Sequence, residues 1–456
     1  MPTPRVKQVE NLYDKPQDFR ELSCVYPPLQ PFLFEGHSFQ PSINFKDPQA
    51  QRRLTEALLF RDFGLSLELP EGRLCPAVPN RFEYVRWIRE IVRCNSESSS
   101  GDKSTLGLDI GTGASAIYPL LACSWITHWK MIGTEIDDVS FQYALQNVTR
   151  NHLQTSISIR KSTAEDQILH PLWDDSLPRS PSFTFTMCNP PFYCSNEDMV
   201  RSGEAKDLDP HAVCTGAEAE MITPGGDAAF VLTMLEESLL VKQRCNWFTS
   251  LLGKLSSVNA VVERLREKKI DNYAIREIVQ GQTRRWAVAW SFMGVRLSDS
   301  IAHASSPSLK ALLPLPTTLK QPLKNVYSAA NLADALHTVL GAIDTVTYTM
   351  ECEGSKRGTS AGPLNADSEH TYAMHVSYGV NTWSRAARRR KKHATRTGEV
   401  STPAQTPVSK MTIYWSSPLP TDKAAVTAQW NHGLHRTDFE GLWSHICKKL
   451  EDRFGP

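Results

Sequence analysis

Short apolar runs alternate with amphipathic stretches through the middle of the chain. STLGLDI, KMIGTEI, SISIR, SFTFTMC and NWFTSLL read as strands, and apolar positions at helical spacing recur over Val139 to Arg150, Ala228 to Lys242 and Val258 to Lys268. That alternation predicts a doubly wound α/β sheet whose strands are mostly parallel. The last two strands, DNYAIREIV and RWAVAWSF, are separated only by Gln280 to Arg284, too short for a crossover, so they are expected to form an antiparallel hairpin. A parallel sheet closing on such a hairpin departs from a plain dinucleotide-binding fold.

The pattern changes on either side of this core, expected over 101–297. Residues 1–100 predict a helical extension, with Asp47 to Phe60 and Phe82 to Val92 as its clearest amphipathic stretches. From 298 to 325 Ser, Pro and Leu dominate, which reads as a linker. Over 326–456 a helical pattern at Ala329 to Leu340, strand-like AIDTVTYTMECE, TYAMHVSYGV, MTIYWSSP and AVTAQWNH, and a closing helix at Asp438 to Arg453 predict a small α+β domain. Its insertion at 384–409 lacks a core pattern and is expected to be a flexible, basic loop.

Composition adds limits. With 456 residues, 41% of them hydrophobic and 22% charged, the chain is expected to be globular with a sizeable core. Ten cysteines without a C-x-x-C pair suggest neither zinc nor a disulfide framework, and read as reduced thiols of the cytosol or nucleus. The charged, proline-bearing amino terminus does not read as a signal peptide, and no apolar run reaches the length of a membrane span. A net charge of +1 offers no global field for an acidic partner, so nucleic-acid affinity is expected from local patches.

Three motifs carry chemistry. LGLDIGTGAS places Asp109, Gly111 and Gly113 at the end of the first strand, where the glycines let the backbone approach a ligand. It lacks the third glycine of a dinucleotide site and the lysine of a P-loop, so a pyrophosphate is not demanded; a structural tight turn is the alternative. GTEID ends the second strand with Glu135, spaced to accept hydrogen bonds from ribose hydroxyls, while Asp137 and Asp138 suit a helix cap and first turn. These two motifs describe a nucleoside pocket that NAD or S-adenosylmethionine would both satisfy. MCNPPFYC, after the fourth strand, discriminates between them. The side-chain oxygen of Asn189 and the carbonyl of Pro190, fixed by Pro191, would accept both protons of an exocyclic amine and turn its lone pair out of the ring plane, with Phe192 stacked on the base. That arrangement suits N6 of adenine and needs neither a metal nor a strong base. A strand-terminating turn is the plainer alternative.

Together and in order, LGLDIGTGASAIYPLLA, TEIDD, MCNPPFY, FTSLLGK and IVQGQTRRWAVAWSF resemble the RNA N6-adenine methyltransferase family of methyltransferase-like protein 16, in a non-animal form. DKPQDF, NFKDP and DFGLSLELP extend the likeness over about the first 295 residues. The resemblance implies a class I, Rossmann-like methyltransferase fold and S-adenosylmethionine as cofactor. It implies that Arg81 contacts the cofactor and that Thr163, or its neighbour Ser162, lies beside the adenine. It further implies a structured RNA substrate, U6 small nuclear RNA; the chain is expected to be monomeric and, from its basic run over 385–396, nuclear, with the cytoplasm as a second place.

Contacts to RNA follow from the same likeness. Arg284 and Arg285 at the hairpin tip, Gly253 and Lys254, and the segment around Asp18 and Phe19 are the expected contacts, with Gln282 standing where the family has arginine. The long segment after Phe192 reads as a lid bearing Arg201 and Lys206, or as a surface insertion. Arg385 to Arg396, with Arg388, Arg389, Arg390, Lys391 and Lys392, reads as a nuclear localisation signal, an RNA-binding arm, or both. The C-terminal domain weakly resembles the RNA-assisting region of animal members. Methylation of ribosomal RNA, or of a protein glutamine, and an RNA-binding scaffold with a decayed site are the competing functions.

Overall fold

The computed structural model describes residues 12–36, 41–96, 105–174, 183–198, 216–280, 283–304, 306–326, 328–353, 371–379, 381–384, 387, 389, 408–416 and 424–455. Expectations for Arg201, Lys206, Gln282, Arg388, Arg390, Lys391 and Lys392 lie outside these residues. The chain divides into two compact units, Met1–Phe292 with Ile301–Pro314, and Met293–Ser300 with Leu315–Pro456.

The first unit is built on a seven-stranded sheet. In chain order its strands are β3 (Thr105–Ile110), β4 (Trp129–Glu135), β5 (Ile157–Lys161), β6 (Phe183–Cys188), β7 (Cys245–Leu252), β8 (Tyr273–Gln280) and β9 (Thr283–Trp290), and across the sheet they run β5-β4-β3-β6-β7-β9-β8. Neighbours from β5 to β7 are parallel, and β9 is antiparallel to both β7 and β8. The expected hairpin therefore closes the sheet. Strands buried on both faces need apolar residues at nearly every position. Phe183, Phe185, Trp247, Phe248, Ala274 and Val288 meet that need at 0 to 1% exposure. The helices Asp138–Arg150, Gly226–Val241 and Leu255–Glu267 stand within a few residues of their expected limits. Asp137 caps the first of them, accepting the Ser140 N–H at 2.8 Å.

The amino-terminal region is not purely helical. It holds helices Phe19–Val25, Pro48–Phe63 and Val78–Ser96, but also a short antiparallel pair, β1 (Leu33–Glu35) with β2 (Pro41–Ile43). The helix Val78–Ser96 joins the core through Trp87, whose indole donates to the Ile301 carbonyl, and through Tyr84, hydrogen-bonded to Thr249 of β7.

The second unit is a five-stranded antiparallel sheet in the order β10-β14-β13-β12-β11, formed by Thr318–Pro322, Ala425–His432, Ser409–Ser416, Thr371–Tyr378 and Val346–Glu353. Alternate strand residues, among them Met374, Ile413 and Trp430, pack against Leu336, Phe439 and Ile446 of the helices Ala329–Gly341 and Arg436–Phe454. The stretch read as a linker is structured. It contains the helix Asp299–Ala302 and the edge strand β10, whose Lys320, Gln321 and Pro322 conceal it from an apolar-pattern search.

Candidate active site

The carboxyl ends of β4, β3, β6 and β7 share one edge of the sheet. The chain leaves β3 for β4 on one side and reaches β6 on the other, so a crevice opens at this reversal. Asp109, Glu135 and Asn189 all stand at that edge, with Ile110 in register with Thr134 and Cys188.

At the end of β3, Gly111 and Gly113 both take φ of +66°, where a side chain would strain the backbone. Among the described residues nothing lies within 4 Å of where a Cβ on Gly111 would stand, and only the Glu220 Oε1, at 3.7 Å, approaches that of Gly113. No described residue fills the space over the turn. Beneath it Asp109 is fully buried; the Thr112 hydroxyl lies close enough to favour its ionised form, but among the described residues neither carboxylate oxygen makes a well-formed hydrogen bond. Burial pushes its carboxyl up to about 7; nearby Thr112 and Arg81 oppose this shift, and the charge of Glu135 adds to it. A buried acid with two idle acceptors is suited to a ligand that brings donors or positive charge.

Glu135 ends β4 at 6% exposure. Its Oε2 accepts the Gly113 N–H at 2.8 Å and its Oε1 the Asp137 N–H at 2.9 Å. Burial raises its pKa while these backbone donors hold it down. The two bonds orient the carboxylate beside the glycine turn and leave lone pairs for hydroxyl donors. Arg81, from the helix Val78–Ser96, donates to the Tyr118 hydroxyl at 2.8 Å and lies near enough to Asp109 to favour its ionised form.

Thr163 is exposed, and its N–H donates to Asp166 at 2.7 Å. Ser162 is the buried member of the pair, with its N–H on the Glu135 carbonyl at 2.9 Å.

The Asn-Pro-Pro-Phe run follows β6 directly. Pro190 is buried, and the Asn189 Oδ1 is shielded from solvent and has no hydrogen-bond partner among the described residues. Tyr193 fixes the far end of the run, donating to the Met221 carbonyl and accepting the Thr223 N–H, both at 3.0 Å. The Phe192 ring lies against Gly253, where a Cβ would come within 2.8 Å of its Cδ1, and the Arg285 guanidinium sits 4.9 Å from the ring centroid.

The expected RNA contacts are placed unevenly. Gly253, Lys254 and Arg285 stand beside Phe192. Lys254 is paired with both oxygens of Asp198, at 3.1 and 3.3 Å, and Arg284 with Glu277 at 3.4 Å. Asp18 caps the helix Phe19–Val25 by accepting from the Arg20 and Glu21 N–H groups, and Phe19 packs edge-on against Phe45. Arg389 is exposed and belongs to the second unit.

Several residues that sequence patterns did not single out also meet here. Tyr118 is hidden in an apolar helix, and Glu220 reaches back to accept the Leu74 N–H at 3.0 Å. Asp227 accepts from Gly253, and only its place after Gly225 and Gly226, at a helix start, could have marked it.

A family model described as RNA methyltransferase matches residues 6–294. The U6 small nuclear RNA (adenine-(43)-N(6))-methyltransferase of Schizosaccharomyces pombe is 35% identical over 411 residues, which is 90% of this chain and 95% of that protein. The RNA N(6)-adenosine-methyltransferase METTL16 of Homo sapiens is 38% identical over 307 residues, 66% of this chain, and the match spans about half (52%) of that longer protein. Among solved structures, the human Mettl16 catalytic domain in complex with the MAT2A 3'UTR hairpin 1 superposes with a TM-score of 0.55 at 36% identity, covering 61% of this chain and 92% of that one. The N-terminal domain of human METTL16 in complex with SAH gives 0.52 at 35% identity, covering 63% and 98%.

Proposed function

The chain belongs to this RNA methyltransferase family, and from that premise we propose that it is an S-adenosylmethionine-dependent methyltransferase of adenine N6 in a structured RNA, U6 small nuclear RNA. The observation that carries the reading is the Asn189 side-chain oxygen, shielded and unpartnered at the end of β6 on the same sheet edge as Asp109. An acceptor kept dry and idle is ready for an amine that brings its own donors.

The site fits the cofactor. Open space stands over Gly111 and Gly113, Glu135 is oriented beside them for ribose hydroxyls, and Asp109 offers two idle oxygens and negative charge. Arg81 would take the cofactor's carboxylate, and Ser162 or Thr163 would border its adenine. When bound, S-adenosylmethionine would supply an electrophilic methyl group on a positively charged sulfur, which leaves as neutral S-adenosylhomocysteine.

The protein's own groups prepare the nucleophile. The Asn189 Oδ1 and the Pro190 carbonyl each accept one N–H of the adenine amine. This draws the nitrogen out of conjugation with the ring and directs its lone pair into the crevice. Phe192 stacks on the base and fixes its plane. After transfer the amine sheds its extra proton to water. Gly253, Lys254, Arg284 and Arg285, with Asp18 and Phe19, hold the RNA backbone near the pocket. Arg201, Lys206 and Gln282 are further candidates for that contact.

The second unit and the basic run that includes Arg388 to Lys392 add affinity for folded RNA, and the run also directs the protein to the nucleus. The small nuclear RNA named for the fission yeast relative supports a nuclear place of action. The test is to incubate the full chain and its Asn189→Ala variant with U6 transcript and methyl-labelled cofactor, then digest and separate the nucleosides. N6-methyladenosine formed by the parent, and far more slowly by the variant, supports the reading. Label in another nucleoside, or equal yields from both, overturns it.

A further inference from the structure

We propose that Asp227 is a positioning residue for methyl transfer, holding the Gly253-Lys254 turn as the floor on which the Phe192 ring lies and so setting the plane in which the target adenine stacks. The inference rests on the reading of Asn189 to Phe192 as the adenine clamp.

Asp227 lies in the first turn of the helix Gly226–Val241 and is only 2% exposed. Its Oδ2 accepts the Gly253 N–H at 2.6 Å and its Oδ1 accepts the Ser257 hydroxyl at 2.7 Å. One carboxylate therefore ties together the start of one helix, the turn after β7 and the first turn of the helix Leu255–Glu267. Hydrogen bonds of this length hold their partners firmly.

What it holds is packed against Phe192 on two sides. A Cβ on Gly253 would stand 2.8 Å from the ring Cδ1 and 3.4 Å from the Asp227 Oδ2. A Cβ on Gly226, which has φ of +68°, would stand 3.3 Å from the Phe192 carbonyl oxygen. The glycines on either side of Asp227's bonds are thus the surfaces that the Phe192 ring and backbone rest on. A turn released from Asp227 can shift by a fraction of an ångström, and the ring tilts with it. Asp227 itself touches neither base nor cofactor in this scheme.

The test uses the full chain, U6 transcript and single-turnover methylation, with affinity for S-adenosylhomocysteine measured alongside. Asp227→Ala should lower the rate about 10- to 100-fold, the scale of a small misplacement at a reacting centre, while cofactor affinity stays within about twofold. Asp227→Asn can still accept from Gly253 through its oxygen and donate to Ser257 through its nitrogen, so it should recover most of the rate. In a Phe192→Ala background, Asp227→Ala should cost less than about twofold more, because the ring it positions is gone.

Equal losses in both backgrounds, or a parallel fall in cofactor affinity, would make Asp227 a general brace and overturn the proposal. Should Asp227→Ala not fold, Gly253→Ala tests the same floor by directing a methyl group at the ring. It should slow transfer with cofactor binding intact, and an unchanged rate overturns the proposal. Failure of the parent protein to methylate adenine would sink the proposed function instead, whatever the variants do.

Discussion

Replacing Asn189 by alanine separates binding from chemistry. Among the described residues the Asn189 Oδ1 has no partner, so its removal orphans no donor there. Stability should fall only slightly, with a melting shift of no more than about 4 °C for a domain of this size. Cofactor affinity should change only a few-fold, because Asp109, Glu135 and the glycine turn are untouched. The loss falls on the transition state, where the amine becomes cationic and its bond to a shielded oxygen strengthens. Removing one such preorganised partner costs about 3 kcal/mol, which is roughly 100-fold in rate. The Pro190 carbonyl remains as the second acceptor and sets a floor under the residual activity. Single-turnover methylation at saturating RNA and cofactor reads the rate, and calorimetry with S-adenosylhomocysteine reads the binding. A variant whose cofactor affinity and rate fall by the same factor would show Asn189 to be a structural or cofactor ligand. A variant of unchanged rate would remove the amide from the mechanism.

Glu135→Ala should chiefly weaken the cofactor, since both carboxylate oxygens are oriented by Gly113 and Asp137 toward a ground-state contact; normal affinity for S-adenosylhomocysteine by calorimetry would move the ribose ligand elsewhere. The cofactor-free protein should lose stability as pH rises from about 4 toward 7, because Asp109, raised to about 7, holds a proton in the folded state that the unfolded chain has already released. Asp109→Asn should remove that slope in thermal melts, and parallel profiles for parent and variant would contradict it. Truncation after Pro314 retains Ile301–Pro314, which belongs to the first unit through bonds such as Tyr273 to the Leu312 carbonyl. The truncated protein should bind cofactor normally but structured RNA more weakly, with a salt slope shallower by roughly 0.7 to 0.9 for each phosphate it no longer neutralises, and an unchanged slope would leave the basic run as a targeting signal only.

The parts of this molecule that were legible in the sequence are those where local chemistry leaves no choice. Central strands such as Phe183–Cys188 are runs of β-formers with Phe183, Phe185 and Met187 buried, and two prolines after Asn189 must end the strand, so the core sheet and the place of the loop could be read directly. The five-residue separation of the last two strands fixed their antiparallel sense. Strand β10 escaped because an edge strand needs only one apolar face, and Lys320 and Pro322 disguise the rest. In the site, glycines with positive φ and an acid at a strand end leave a signature, whereas partnerships across the sequence do not. Nothing local in Asp227, Glu220 or Tyr118 announces Gly253, Leu74 or Arg81 as its partner. For the same reason the pairing of Lys254 with Asp198 was invisible. A lysine read as an RNA contact is already held by an acid, which RNA phosphate would have to displace.

The central claim is the transfer of a methyl group to adenine N6 in one structured RNA, and its most direct test leaves the choice of substrate to the protein. The full chain is incubated with methyl-labelled cofactor and total cellular RNA, the RNA is fractionated by size, and the labelled nucleotide is mapped. Label should be confined to U6 small nuclear RNA, as N6-methyladenosine at a single position. Label in ribosomal RNA, at another atom or base, or in protein would contradict it.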